Sequence, residues 1–169
     1  AVRNMLMDSQ NRIQSMALIH QTLYQSNNFA RVDFADFLEA LIPTLVNSYS
    51  VSGKNITLAV NVDEVYLPIN SAIPCGLLIN ELITNALKHA FTERNEGKIS
   101  VSLSANENKE IQLRISDDGN GIPEHLNLDE VETLGLRLVN LLSQQLNGVL
   151  RIQRQQPTEF VLSFPLTEH

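Results

Sequence analysis

Four polar side chains recur along one predicted helix in a pattern that could bind a metal ion and phosphate groups. Glu81, Asn85, Lys88 and His89 lie within a helical run from about 71 to 93. Their spacing of i, i+4, i+7 and i+8 places them on one stripe of that helix, beside a broad apolar face. The alternative is a merely solvated surface stripe, so the residues that follow in the chain decide between the two interpretations.

Two glycine-containing segments follow this helix, and each suits one part of a nucleotide. Residues 117–123 read Asp-Asp-Gly-Asn-Gly-Ile-Pro and come directly after a predicted strand. The carboxylate of Asp117 can accept a hydrogen bond from the amino group of adenine, and it would reject the carbonyl of guanine. Residues 133–139 read Thr-Leu-Gly-Leu-Arg-Leu-Val and open a predicted helix, whose free N–H groups can bind phosphate. Taken alone, the first segment could equally be an ordinary Asp-Gly turn.

The elements that must position these residues follow from the apolar periodicity of the chain. The predicted helices cover residues 1–27, 33–51, 71–93 and 134–146. The predicted strands cover residues 56–62, 65–69, 97–105, 111–115, 149–154 and 160–165. Pro43 is expected to kink or split the second helix, because proline removes a backbone donor. A turn at 63–64 is expected to join the first two strands as a hairpin, and an acidic loop over 122–133 is expected to be a lid.

In order and spacing, the helix stripe and the two glycine segments resemble the N box and the two glycine boxes of histidine kinases. Their ATP-binding domain is related to those of gyrase-type ATPases, Hsp90 and MutL, and the resemblance extends from about Val32 to the end. It implies an α+β fold, a two-layer sandwich in which about three helices cover a mixed, mostly antiparallel sheet. We therefore predict a fragment of the second dimerisation helix, a stalk helix, over residues 1–28. The catalytic ATP-binding domain is predicted over residues 29–169.

The same resemblance implies roles for individual residues. Glu81 corresponds to the acid that activates the attacking group, and Asn85 to a ligand of Mg²⁺, which prefers hard oxygen donors. ATP and Mg²⁺ are thus the implied cofactors. The implied ATP-binding residues are Asn85, Lys88, His89, Asp117, Gly119, Gly121, Ile122, Thr133, Leu134, Gly135 and Leu136. Thr133 stands where the family usually has a further glycine. Thr158 follows proline where a glycine is expected, so Thr158 is not predicted as a ligand.

The first helix contains His20, which we do not assign as the phosphoacceptor. His20 shares a heptad-like seam with Leu6 and Ile13, a pattern typical of a helix–helix contact. The common acceptor motif has an acid directly after the histidine and a proline nearby, whereas Gln21 follows here. Residues 12–20 resemble instead the second dimerisation helix of the HisKA_2 subfamily, in which the acceptor lies on the preceding helix. No phosphoacceptor is therefore predicted in this chain.

The composition narrows the class of protein. The chain has 169 residues and a formal net charge of −7, and without a basic patch it is not expected to bind nucleic acid. Its single cysteine, Cys75, cannot form an internal disulfide and fits a reducing compartment. No apolar run reaches the ~20 residues that a membrane-spanning helix needs. We therefore expect a cytoplasmic protein.

The resemblance implies the catalytic part of a sensor histidine kinase, which transfers the γ-phosphoryl group of ATP to a histidine for relay to the receiver domain of a response regulator. It also implies a homodimer formed through the stalk helix in the full-length protein. Because the acceptor is missing, we expect this chain to bind nucleotide without phosphorylating itself. Two alternatives stay open: an anti-sigma-factor-like serine kinase of the same fold, and a degenerate module that binds a partner but no nucleotide.

Overall fold

The computed structural model describes residues 2–25, 31–49, 53–127 and 134–166. The helices are α1 (Val2–Gln25), α2 (Phe34–Tyr49), α3 (Ile69–Asn85), a π-helical turn directly after it (Ala86–Ala90) and α4 (Leu134–Gln145). The strands are β1 (Arg31–Asp33), β2 (Asn55–Val62), β3 (Tyr66–Pro68), β4 (Glu96–Ala105), β5 (Glu110–Asp117), β6 (Val149–Gln153) and β7 (Thr158–Pro165). Each predicted helix and strand has a counterpart, and β1 is an additional strand. Within the described ranges, no helix combines the length and apolar character that crossing a membrane requires.

A five-stranded sheet in the order β2-β4-β5-β7-β6 forms one layer of the described fold. The strand β2 pairs with β4 in parallel, and the other neighbours pair antiparallel. The short strands β1 and β3 form a separate antiparallel ribbon. The main sheet is thus mixed and mostly antiparallel, which confirms the predicted α+β class.

The core lies between this sheet and the helices α2, α3 and α4. Alternate side chains of the central strands are buried in it: Ile99, Val101 and Leu103 on β4, and Ile111, Leu113 and Ile115 on β5. The row on β5 continues with Asp117, whose register partner on β7 is Thr158. Because side chains alternate between the two faces of a strand, both polar residues lie on the face that the helices cover. The fold therefore places a carboxylate and a hydroxyl at the edge of an apolar core.

The predicted hairpin between residues 56–62 and 65–69 is wrong. The strand β2 pairs with β4 of the main sheet, whereas β3 pairs with β1 of the ribbon. The N–H of Asp63 donates to the carbonyl of Leu103 at 2.9 Å, so β2 stays with the main sheet to its end. An alternating pattern predicts a strand but does not name its partner, and a parallel partner is always distant in sequence.

The helices differ from their predictions at two points. Pro43 lies inside α2, so of the two predicted outcomes, a kink or a split, the split does not occur. Pro43 is on the exposed face, where water can bind the carbonyl that loses its donor. The predicted α-helix to residue 93 is wrong, since α3 ends at Asn85 and a π-helical turn follows. A π turn has more residues per turn than an α-helix, so it shifts Lys88 and His89 from the angular positions that α-helical spacing predicts.

The helix α1 packs against α2 and α3 through a face that is partly polar. Of its side chains whose burial the structure describes, residues 2–21, the buried ones are Asn11, Ser15 and Ile19, which recur at helical spacing. On another face, Leu6 and Ile13 are each 65% exposed. The heptad-like seam predicted from the sequence therefore faces away from α2 and α3, and the neighbouring face makes the contact.

Candidate functional site

A cavity of about 250 Å³ opens where α3 and its π turn meet the ends of β5 and β7. Its lining residues are Leu82, Asn85, Ala86, His89, Ala90, Ile115, Asp117, Gly121, Ile122, Pro123, Leu126, Leu136, Thr158 and Phe160. Most of these are apolar, and Asp117 is the one carboxylate among them. An apolar cavity with a few convergent polar groups is the usual form of a small-molecule site. This cavity suits a largely apolar group that carries a hydrogen-bond donor.

The carboxylate of Asp117 is held within this cavity by the strand and by the loop after it. Asp117 is 8% exposed, because it continues the buried row of β5. The pKa of Asp117 is raised, chiefly because of burial and further because of the nearby charge of Asp118. The N–H of Gly119 donates to Oδ1 at 3.0 Å and partly offsets this rise. Among the described residues no cation pairs with this buried carboxylate, so it is a candidate for binding a donor group of a ligand.

The two glycines of residues 117–123 have different roles. A Cβ on Gly119 would lie 2.2 Å from the carbonyl oxygen of Ala90, and the N–H of Asn120 donates to that same oxygen at 2.7 Å. Gly119 is therefore needed to pack this loop on the π turn, and it is not among the residues that line the cavity. Gly121 does line the cavity and has a φ of +80°, a conformation that favours glycine.

A second, more polar cavity of about 300 Å³ shares Asn85 and His89 with the first. Its other lining residues are Met5, Asp8, Ser9, Arg12, Tyr49, Asn80, Glu81, Thr84, Lys88 and Gly135. Burial lowers the pKa of His89, Lys88 lowers it further, and Asp8 raises it. His89 is therefore neutral near pH 7 and can serve as a hydrogen-bond donor or acceptor. Arg12 and Lys88 supply the positive charge of this cavity.

The start of α4 lies against the polar stripe of α3. A Cβ on Gly135 would be 3.1 Å from Oε2 of Glu81 and 3.5 Å from Nδ2 of Asn85. The glycine thus allows the two helices to approach closely at this point. The first N–H groups of a helix have no acceptor within it and can bind phosphate. The stripe of α3 and the second glycine segment, which are far apart in sequence, therefore meet at the polar cavity.

Two ion pairs join α1 to the same stripe. Arg12 donates through Nε to Oε1 of Glu81, and through Nη2 to Oε2 at 3.0 Å. The ammonium of Lys88 donates to Oδ1 of Asp8, and the hydroxyl of Tyr49 donates to the same oxygen at 3.4 Å. The carboxylate of Glu81 is the largest cause of the raised pKa of Arg12. Both the predicted catalytic acid and the predicted phosphate-binding lysine are thus engaged by α1.

Most of the predicted site residues come together at these two cavities. The first cavity is lined by Asn85, His89, Asp117, Gly121, Ile122 and Leu136, and the second also by Glu81, Lys88 and Gly135. Thr133 lies outside the described residues, as does the side chain of Leu134. The lid prediction over 122–133 also falls partly outside them, because the structure describes that loop only as far as residue 127.

Several residues at the site were not identified from the sequence. Thr158 was not predicted as a ligand, yet it lines the first cavity beside its register partner Asp117. Asp8 and Arg12 were not predicted, because the apolar seam indicated that another face of α1 makes the contact. The available signal was the spacing of Asp8, Arg12 and Ser15, which places three polar groups on one face. Ser15 also contacts α3, because its Oγ donates to Oδ1 of Asn80 at 2.8 Å.

The chain is similar to known kinases over most of its length. Residues 71–168 match the family model of the histidine kinase-, DNA gyrase B-, and HSP90-like ATPases, and residues 1–49 match the HisKA_2 histidine kinase model. The chain is 30% identical over 145 residues to blue-light-activated histidine kinase 2 of Erythrobacter litoralis, which covers 85% of this chain and 42% of that protein. It is 29% identical over 168 residues to the sensor histidine kinase PdtaS of Mycobacterium tuberculosis, which covers 97% of this chain and 33% of that protein.

A third relative and a solved structure extend these similarities. The anti-sigma F factor of Priestia megaterium is 27% identical over 117 residues, which is 69% of this chain and 61% of that protein. The histidine kinase domain of the EL346 blue-light-activated histidine kinase of Erythrobacter litoralis has a TM-score of 0.85 at 27% identity. That match covers 94% of this chain and 75% of that domain. The chain spans from a third to about two fifths of the length of the two curated kinases.

Proposed function

The chain belongs to the family of histidine kinase-, DNA gyrase B- and HSP90-like ATPases, and on this premise we propose that it is the ATP-binding catalytic part of a two-component sensor histidine kinase. In this proposal the γ-phosphoryl group of ATP passes to a histidine that is not part of this chain. The receiver domain of a response regulator then accepts it. His20 remains unassigned as an acceptor, and this chain alone is expected to bind nucleotide without phosphorylating itself.

One observation carries the proposal: an apolar cavity with a buried carboxylate shares Asn85 and His89 with a polar cavity that contains cations. A nucleotide needs this combination, because its base is flat and largely apolar whereas its phosphates carry several negative charges. In the proposed arrangement, Asp117 accepts a hydrogen bond from the amino group of adenine. Guanine would be rejected, because its carbonyl would face the carboxylate.

The polar cavity is the proposed site of the phosphates. Lys88 would meet them as a point charge, and the N–H groups of the first turn of α4 would bind them near Gly135. Asn85 fits a Mg²⁺ ligand, because its carboxamide oxygen is a hard donor at the boundary of the two cavities. Mg²⁺ commonly has few protein ligands and keeps waters and phosphate oxygens around it. When bound, the ion supplies charge neutralisation of the phosphates.

Glu81 is the proposed general base for the attacking imidazole. Such a base must lie within hydrogen-bond reach of the proton that it removes. In the structure the guanidinium of Arg12 donates hydrogen bonds to both oxygens of Glu81, so both oxygens that would accept the proton are already engaged. Lys88 is likewise paired with Asp8. We infer that α1 shifts relative to α3 before phosphoryl transfer. In this step Glu81 exchanges Arg12 for the imidazole, and Lys88 exchanges the carboxylate on α1 for the phosphates.

An anti-sigma-factor-like serine kinase is the second candidate, since the chain is also similar to an anti-sigma F factor. The sensor kinase is favoured because the HisKA_2 match covers residues 1–49, which include α1. In the full-length protein we propose a homodimer through α1. Leu6, Ile13 and Met16 are 65%, 65% and 51% exposed, and such an apolar stripe at heptad spacing is typical of a contact with another helix. A cytoplasmic location remains a prediction from the composition.

Thermal unfolding with and without Mg-ADP tests the proposal. A ligand present at about 100 times its Kd adds about 2.7 kcal/mol to the free energy of unfolding. We expect this stabilisation in the unmutated protein and its loss in Asp117→Asn. The matched control is Asp63→Asn, because Asp63 is an exposed aspartate in the loop after β2, and this variant should respond as the unmutated protein does.

The outcomes separate the parts of the proposal. A missing response in the unmutated protein would contradict nucleotide binding and favour the degenerate partner-binding module. An equal response in Asp117→Asn would contradict the role of Asp117 in binding the base while leaving nucleotide binding intact.

A further inference from the structure

Arg154 lies in the connection between β6 and β7 and does not itself line the apolar cavity. It forms hydrogen bonds with four residues that do line this cavity. Its guanidinium donates through Nη1 to three backbone carbonyls of the loop that follows β5. The acceptors are the carbonyl oxygens of Pro123 at 3.1 Å, Glu124 at 3.2 Å and Leu126 at 2.7 Å. One cation thus forms hydrogen bonds with three carbonyl oxygens of a single turn.

The backbone of Arg154 also forms hydrogen bonds with this region. Its carbonyl oxygen accepts hydrogen bonds from the N–H of Ile122 at 2.8 Å and from Oγ1 of Thr158 at 3.1 Å. A Cβ on Gly121 would lie 3.1 Å from this oxygen, so the glycine allows the loop to approach it. Arg154 therefore connects the loop wall of the cavity to the strand that carries Thr158.

The guanidinium suits this task for a chemical reason. The carbonyls of a turn that points away from a sheet have no partner strand, and converging carbonyl dipoles repel one another unless a donor lies between them. A planar cation with several N–H groups satisfies such carbonyls with charge-assisted bonds. In the described part of the loop, the turn is also closed by the N–H of Leu126, which donates to the carbonyl of Pro123 at 3.1 Å.

We propose that Arg154 is a positioning residue for the nucleotide site, an inference that rests on the proposed function. By fixing residues 122–126 it keeps Ile122, Pro123 and Leu126 against the space assigned to the adenine. A wall that is ordered before the ligand arrives loses less conformational entropy on binding. Because affinity differences between variants of one site are expressed mostly in the dissociation rate, Arg154 slows dissociation of the nucleotide.

The test compares Arg154→Met with Arg151→Met. Methionine keeps most of the aliphatic length of arginine but removes its donors. Arg151 is an exposed arginine on β6, three residues earlier in the chain, and it serves as the matched control. In the nucleotide-free proteins, hydrogen exchange of the amides of Ile122 and Leu126 is measured. In the Mg-ADP complexes, the dissociation rate is measured by stopped-flow displacement of a fluorescent ADP analogue.

Arg154→Met is expected to exchange both amides faster and to release the nucleotide about 10-fold faster, equivalent to about 1.4 kcal/mol. Its thermal midpoint without nucleotide should stay near that of Arg151→Met, which distinguishes positioning from a general loss of stability. If Arg154→Met does not fold, Arg154→Lys is used, which keeps the charge but not the planar fork, and a smaller increase in both rates is expected.

Unchanged amide exchange or an unchanged dissociation rate in the variant would overturn the inference while leaving the proposed function standing. Absence of ADP binding by the unmutated protein would overturn both. The two failures are therefore distinguishable in one set of measurements.

Discussion

Replacing Arg12 with methionine should destabilise the protein strongly, because it leaves a buried carboxylate without its cation. Glu81 is 3% exposed, and both of its oxygens accept hydrogen bonds from Arg12. Removing one partner of a buried ion pair typically costs about 3–5 kcal/mol. The side chain of Arg12 is 21% exposed, so water partly screens the pair, and we expect the lower end, about 3 kcal/mol. For a chain of this size that corresponds to a thermal midpoint about 6–12 °C lower.

A double-mutant cycle separates the unpaired charge from the loss of packing. Glu81→Gln alone leaves the partly exposed Arg12 free to reach water, so it should cost about 1 kcal/mol. In the double variant no charge remains unpaired, and its stability should lie within about 1 kcal/mol of that of the unmutated protein. The coupling energy between Arg12 and Glu81, the two single-variant costs less that of the double variant, is then about 3–5 kcal/mol.

Urea denaturation followed by circular dichroism at pH 7 measures these differences. Arg3→Met is the matched control, because Arg3 is an exposed arginine on the same helix. The denaturant slope must stay constant across the series for the free energies to be comparable. If Arg12→Met unfolds at the same urea concentration as Arg3→Met, Glu81 does not depend on this contact and the reasoning is refuted.

Three further predictions concern single side chains. Because burial raises the pKa of Asp117, the folded state disfavours its ionised form. Asp117→Asn should therefore have a higher free energy of unfolding than the unmutated nucleotide-free protein, by an amount that grows as the pH rises through this raised pKa and vanishes in acid. Urea denaturation curves between about pH 3 and 8 measure this difference. Burial lowers the pKa of His89, so its protonation costs stability as the pH falls below about 6.5. His89→Gln should reduce that acid-induced loss of stability. If its stability falls with acid as steeply as that of the unmutated protein, His89 is not the group whose protonation destabilises the fold. Gly119→Ala should cost about 2–3 kcal/mol through collision with the carbonyl of Ala90. Gly53→Ala, with a φ of +95° but open space around it, should cost only about 1 kcal/mol in the same assay.

Local patterns in the sequence were sufficient to predict most of the elements, and the resemblance carried by three short segments implied the class of fold. The alternation along β4 and β5 identifies buried strands, and apolar residues at helical spacing identify α1 to α4. The spacing of the polar stripe and the two glycine segments predicted residues that do meet at two connected cavities. These predictions succeeded because periodicity, strand ends and glycine positions are properties of a few neighbouring residues.

The tertiary structure decided which elements are partners and which faces they present. The pairing of β2 with β4, the register of Thr158 opposite Asp117 and the π turn that carries Lys88 all depend on packing across the domain. The bond between Arg12 and Glu81 joins residues 69 positions apart. It exists because α1 docks through its polar face and leaves its apolar seam exposed.

A helical pattern permits either face of α1 to make the contact. Only the free energy of the whole packed arrangement selects between them, because it sums burial, hydrogen bonds and charge pairs from elements distant in sequence. The sequence alone thus determined the kinds of element and the chemistry that their residues offer. The assembled fold determined that the carboxylate of Glu81 and the ammonium of Lys88 are paired with side chains of α1, and that Arg154 bonds the loop wall of the apolar cavity.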